Sequence, residues 1–194
     1  MFSVALLVGG RGRRLGGADK SALVVGGQSI LDRQLAAARS VTPSVLAVTS
    51  TPGPAREGSV PLVVDLVPDA GALGGLLTAL VASPTDVTVV VAGDMPFVTG
   101  PFLRWLAERL GDADAVVPVD AGGYHPLCAA YHRRAAGPLR QAIDDGVRRV
   151  QQAVGRLRVI DAAPEDYRDF DRDNRLLLNI NTPEDYHAAL DKHP

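Results

Sequence analysis

The sequence predicts a three-layer α/β domain with a mostly parallel central sheet. Short β-branched runs alternate with longer amphipathic stretches along the chain. Val89-Val90-Val91 is apolar at consecutive positions, as in a strand covered on both faces. Polar or glycine-rich groups follow the apolar runs, and open α/β sheets hold their ligands outside the carboxyl ends of their strands.

Taken in order, strands are expected at residues 2–8, 45–49, 61–64, 87–92, 115–119 and 127–131. Helices are expected at 29–40, 74–83, 101–110 and 134–144. Leu31, Leu35 and Ala38 fall on one face of the first helix, and Leu103, Leu106 and Leu110 on one face of the third. Thr182-Pro183-Glu184-Asp185 combines an N-cap residue, proline at the first helical position and early acids. It predicts a last helix running to Asp191. The apolar run Leu176-Leu177-Leu178 reads as one more strand, ending in Asn179-Ile180-Asn181. The polar loops at 51–58 and 161–175 do not separate two self-sufficient halves, so one domain over 1–194 is expected, without internal repeats.

Composition narrows the function. At 194 residues, 46% hydrophobic and 22% charged, the chain can bury a substantial core. A net charge of −2 gives no basic field for nucleic acid. The single cysteine, Cys128, excludes an internal disulfide and a multi-cysteine metal cluster, and its apolar neighbours mark it as a buried small hydrophobe. No apolar stretch is long enough to span a bilayer, and the first residues lack a basic leader, so a cytoplasmic protein without membrane attachment is expected.

The first apolar run flows into Gly9-Gly10-Arg11-Gly12-Arg13-Arg14-Leu15-Gly16-Gly17, then Asp19-Lys20. Glycines allow close backbone approach to an anion or a flat base. Arg11, Arg13 and Arg14 supply planar forks for phosphate oxygens, and Lys20 a point charge. The segment is not a P-loop, and Leu15 occupies the place of the third glycine of a dinucleotide fingerprint. A nucleotide bound in a different manner is expected.

Other strand ends supply further candidates. Asp94 follows the strand at 87–92 and is the natural ligand for Mg²⁺, which takes one or two carboxylates and completes its shell with phosphate oxygens and water. The other use of Asp94 is an Asx turn before Met95-Pro96; the phosphate loop favours the metal. Asp65 can accept from a base or hydroxyl, or cap a turn near Pro68. Asn179 and Asn181 can face a substrate or form the turn into the last helix. Arg148 and Arg149 can grip a second anion or lie on a solvated face, and His125-Pro126 offers an imidazole of structural type.

In order and spacing these segments resemble the molybdenum cofactor guanylyltransferases, a branch of the nucleotidyltransferase superfamily with a Rossmann-like α/β fold. The family's opening Leu-Ala-Gly-Gly-x-x-x-Arg-Met-Gly-x-x-Asp-Lys stands here as Leu7 to Lys20. Asp65, the glycine segment from Gly71, Asp94-Met95-Pro96, His125-Pro126, Arg148-Arg149 and Asn179-Ile180-Asn181-Thr182-Pro183 extend the resemblance over essentially the whole chain. It implies that Leu7, Val8 and Gly9, continuing into Gly10, Arg11 and Arg13, hold a guanine nucleotide. Lys20 and Asp65 would also bind GTP, and Asp94 would bind nucleotide and Mg²⁺. Similar proteins join GMP from GTP to the phosphate of molybdopterin and release pyrophosphate.

No covalent nucleophile is needed for such a transfer; alignment and charge stabilisation are. Lys20, Asp94 with Mg²⁺, and Arg14 are the expected catalytic groups, while Arg148, Arg149, Asn179 and Asn181 are the expected pterin contacts. The implied partners are GTP, molybdopterin, and the proteins that insert the cofactor and mature its receiving enzymes. Three departures from the family pattern bear on base recognition. Val8 stands in place of alanine, Thr49 is the nearest polar residue to a missing asparagine, and Gly71-Ala72-Leu73 replaces Gly-Pro-Leu. The competing readings are a cytidylyl, sugar-phosphate or phospholactate transferase, and a non-catalytic nucleotide-binding relative.

Overall fold

The computed structural model describes residues 1–8, 23–51 and 60–190. Seven strands form the main sheet in the order β10 (Val159–Ala162), β7 (Ala115–Asp120), β9 (Cys128–His132), β6 (Val87–Ala92), β1 (Ser3–Leu7), β4 (Val45–Thr49), β5 (Leu62–Val64); β8 (Gly123–Tyr124) pairs with β7. A separate hairpin joins β2 (Val24–Val25) and β3 (Gln28–Ser29). The pairs β1–β4, β1–β6, β4–β5 and β7–β10 are parallel. β9 runs antiparallel to β6 and β7. The stretch between β7 and β9 is too short for the crossover that a parallel return requires, so the chain turns back on itself.

Side-chain alternation along the strands builds two cores, one per face. Val4 and Leu6 of β1 and Val89 and Val91 of β6 join Phe102, Leu103 and Leu106 of α3 (Gly100–Arg109), with Ala38 of α1 (Ile30–Arg39). Ala5 and Val90 face the other way, against Leu73, Leu76 and Leu80 of α2 (Gly71–Ala82), Leu139 of α4 (Ala136–Asp144) and Val150 of α5 (Val150–Val154). Val89, Val90 and Val91 are fully buried, as the consecutive apolar pattern predicts. A third, smaller cluster packs Val25 and Ile30 against Ile180 and Ala189, the latter from α7 (Pro183–Leu190).

Several elements differ from the sequence expectation. α2 begins at Gly71, so the glycine segment opens a helix rather than forming a free loop. α4 is preceded by a 3₁₀ turn at Arg133–Ala135. Strand β10 and the short helix α6 (Pro164–Tyr167) occupy ground expected to be coil. Leu176-Leu177-Leu178 is not a strand. The backbone N–H groups of Arg175 and Leu176 both donate to Asp171 Oδ1 (2.7 and 2.9 Å), and Leu178 N–H closes a turn onto the Arg175 carbonyl. Leu176 and Leu177 are apolar because this turn packs them into the α3 core.

The last helix is capped as its sequence predicts. Thr182 Oγ1 accepts from Asp185 N–H, and Asp185 Oδ2 accepts from the N–H groups of Asn181 and Thr182. Its described residues end at Leu190; Asp191 lies outside them. Among the described residues no helix is long and apolar enough to cross a membrane.

Candidate active site at the carboxyl edge of the sheet

In this order β1 lies between β4 and β6, and the chain leaves it in one direction and returns to it from the other. That is the switch point where an open α/β sheet leaves a crevice. Parallel register sets Leu7 beside Val48 and Ala92, and Thr49 beside Val64, so the ends of β1, β4, β5 and β6 share one edge. Gly9, Gly10, Arg11, Arg13, Arg14 and Lys20, which continue from β1, lie outside the described residues.

Asp94 sits in a turn just past β6. Met95 N–H donates to the Ala92 carbonyl, closing the turn, and Gly93 N–H donates to the Leu7 carbonyl at 3.0 Å. A Cβ on Gly93 would stand 2.7 Å from that same oxygen, so only glycine lets the turn approach β1 this closely. Gln34 of α1, 1% exposed, holds the turn from beneath. Its Nε2 donates to the carbonyls of Ala92 (2.7 Å) and Met95 (3.0 Å). The Asp94 carbonyl accepts from Ile180 N–H at 2.8 Å, which draws the Asn179-Ile180-Asn181 segment to the same place.

Beside Asp94 opens a cleft of about 220 Å³, lined among others by Tyr124, His125, Pro126, Leu127, Gln151 and Asn179. The antiparallel course of β9 puts its start at this edge, with Ala92 N–H bonded to the Leu127 carbonyl, and so carries His125-Pro126 to the cleft. His125 Nε2 lies 2.8 Å from Asp120 Oδ2, and Tyr124 OH donates to Asp161 Oδ2 at 2.8 Å. Cys128 touches the cleft wall yet is fully buried, and burial pushes its thiol up to about 12.

The expected pterin contacts are distributed unevenly. Asn179 lines the cleft, while Asn181 commits its backbone N–H to Asp185. Arg148 turns one guanidinium nitrogen onto the carbonyls of Ile143 and Val147, both at 3.0 Å, at the end of α4. Arg149 is the exposed N-cap residue of α5, and Val150 and Gln151 follow it into the cleft wall.

Asp65 stands on the other side of β1, one residue past β5. Its Oδ1 accepts from Thr78 Oγ1 (2.9 Å) and from Val67 N–H (3.1 Å), so the turn-cap use of this residue is real. Leu7 and Val8 lie between Asp65 and Asp94, with Val8 N–H bonded to the Val48 carbonyl. Thr49 bonds its hydroxyl to the Thr51 carbonyl.

Gln34, Tyr124 and Gln151 escape a motif-based reading, while Gly93 stands in the strand-end segment Gly93-Asp94-Met95-Pro96 that the sequence offers. Gln34 carried one readable signal, a polar residue between Leu31, Leu35 and Ala38 on the apolar side of a helix. Tyr124 and Gln151 carried none, because they reach the cleft only through the antiparallel strand and the turn into α5.

Comparison with known proteins gives the family and the fold. The family model described as "MobA-like NTP transferase domain" matches residues 4–159. A Chloroflexus aggregans protein named "Probable molybdenum cofactor guanylyltransferase" is 36% identical, covering 95% of this chain and 91% of its own length. A Desulfosudis oleivorans protein named "Molybdenum cofactor guanylyltransferase" is 29% identical over 95% of this chain and 92% of its own. The crystal structure of molybdopterin-guanine dinucleotide biosynthesis protein A from Archaeoglobus fulgidus superposes with a TM-score of 0.82 at 30% identity, covering 98% of this chain and 97% of that one.

Proposed function

The chain belongs to the family of MobA-like NTP transferase domains, and from that premise we propose that it transfers GMP from GTP to the phosphate of molybdopterin. The observation that carries this reading is the shared edge where β1, β5 and β6 end, with Asp65 on one side of Leu7 and Asp94 with its cleft on the other. Two substrates need two adjoining sites, and this edge offers them. The nucleotide lies over β1 and β5, and the acceptor lies in the cleft of Tyr124, Gln151 and Asn179, its phosphate directed toward Asp94.

In the reaction an oxygen of the acceptor phosphate attacks the α-phosphorus of GTP. The bond from that phosphorus to the bridging oxygen breaks, and pyrophosphate leaves. The protein's task is alignment and charge stabilisation. Gln34, the Gly93 contact and the Ile180 bond hold the turn at Asp94 rigidly, which favours alignment. Lys20, Arg13 and Arg14 supply positive charge for the phosphates and the leaving group, and Gly9, Gly10 and Arg11 contribute to nucleotide binding.

A magnesium ion fits the donors present. Asp94 offers a hard oxygen at a strand end, and the described residues contain no cluster of three or more His, Cys, Asp or Glu side chains that would hold a metal by themselves. That donor set suits a cation whose remaining ligands are phosphate oxygens and water. Asp94 would hold it, and when bound it neutralises charge on the nucleotide phosphates. The reading carries with it a cytoplasmic location and a product that passes to proteins inserting the cofactor into molybdenum enzymes.

The test is pyrophosphate release from GTP and Mg²⁺ with and without molybdopterin. Acceptor-dependent release supports the reading. GTP binding without release in the presence of acceptor contradicts it.

A further inference from the structure

The surroundings of Asp65 are more specific than a turn cap requires. Thr78, fully buried in α2, accepts Leu66 N–H at 2.9 Å and donates its own hydroxyl to Asp65 Oδ1. With Val67 N–H on the same oxygen, Oδ1 is occupied by two donors. Among the described residues no hydrogen bond reaches Oδ2. The carboxylate also lies directly over Gly74, where a Cβ would stand 2.9 Å from Oδ2 and 3.0 Å from Oδ1. A Cβ on the next residue, Gly75, would stand 3.7 Å from Leu7 Cδ2, so this arrangement adjoins the end of β1.

We propose that Thr78 and Gly74 are positioning residues that make Asp65 a one-sided reader of the guanine base, an inference that rests on the GTP reading above. Thr78 fixes the carboxylate by one oxygen, and Gly74 leaves it the space to lie flat on α2. Oδ2 is then the single acceptor presented to a ligand. Guanine complements it with two adjacent donors, N1–H and the exocyclic amino group. Adenine and cytosine place a ring-nitrogen lone pair at the middle of that edge, which a carboxylate repels. Such a device supplies base discrimination in a chain that has Thr49 rather than an asparagine at the end of β4, with the Thr49 hydroxyl committed to Thr51.

The test is calorimetric binding of GTP, inosine triphosphate and ATP, with Mg²⁺, to the wild-type protein and to Thr78→Val, Thr78→Ser and Gly74→Ala. Inosine lacks only the exocyclic amino group. Thr78→Val is expected to weaken GTP binding about tenfold and to bring GTP and inosine triphosphate close to parity. In turnover it raises KM for GTP with kcat changed by no more than about twofold. Thr78→Ser, which keeps the hydroxyl, retains wild-type selectivity. Gly74→Ala displaces the carboxylate from the opposite side and collapses the same ratio, so the inference stays testable even if Thr78→Val fails to fold. A folded Thr78→Val or Gly74→Ala that preserves the wild-type preference for GTP overturns the assignment of these residues alone. A wild-type protein that shows no preference for GTP overturns the guanine reading and this inference with it.

Discussion

At the scale of single residues, the site depends on contacts with no slack. Gly93 is the sharpest case, because any side chain there meets the Leu7 carbonyl oxygen at 2.7 Å. Gly93→Ala is expected to lower stability by about 1–3 kcal/mol, measured by urea denaturation, and to impair turnover. An alanine variant with wild-type stability would show that the turn can shift away from β1. Asp94→Ala is expected to abolish turnover and leave the denaturation midpoint near that of the wild type, since the turn is held by backbone bonds and Gln34. Near-normal turnover with Mg²⁺ in that variant would remove Asp94 from the metal-binding role. Cys128 is expected to resist thiol reagents in the native protein and to react on unfolding, because it is fully buried and burial pushes its thiol up to about 12. Labelling of the native protein at mildly alkaline pH would contradict that burial.

At the scale of elements, a surface ion network ties β7 to β10 and to the turn before α4. Asp114 accepts from Arg134 Nε at 2.6 Å and from Arg158 backbone N–H at 3.0 Å, with Arg158 Nη2 at 3.3 Å. Burial alone would raise its pKa, but the hydrogen bonds from Arg134 and Arg158 outweigh this and hold the carboxyl well below the usual carboxylate range. A depressed native pKa stabilises the fold above the unfolded value, about 3.9, and the stabilisation is lost as pH falls through the native value. Asp114→Asn is therefore expected to cost about 1–2 kcal/mol at neutral pH, a figure kept small because the arginines are solvent-exposed. The difference from wild type should shrink in acid; a gap that persists well below the native titration would point to packing instead. The elements themselves were legible where periodicity was strong. β1, β4, β6 and α3 follow from apolar spacing, and α7 from its cap. β10 and α5 are too short for periodicity to show, and α2 hides its start because Gly71 to Gly75 carry no side-chain pattern. Leu176 to Leu178 misled because apolarity records burial, and burial in a turn looks the same as burial in a strand.

At the scale of the whole molecule, the sheet order converts distant segments into one edge. Residues 65 and 94, and the segments around 125 and 180, stand along one edge because β1 lies between β4 and β6 and β9 runs back beside β6. The sequence showed which residues stand at strand ends; it did not show that Asp65 and the cleft fall on opposite sides of β1, since strand order leaves no local mark. A protein that binds GTP and Mg²⁺ at this edge is expected to gain stability by mass action, about 2.7 kcal/mol at a nucleotide concentration a hundred times Kd, seen as a raised Tm. GTP should produce this shift more strongly than CTP, ATP or UTP. The most direct test of the central claim is product analysis after incubation with molybdopterin, Mg²⁺ and each of the four nucleoside triphosphates. The account expects molybdopterin guanine dinucleotide and pyrophosphate in equal amounts, formed from GTP in clear preference to the others. Dinucleotide formed preferentially from CTP, or no dinucleotide from any nucleotide that binds, would contradict it.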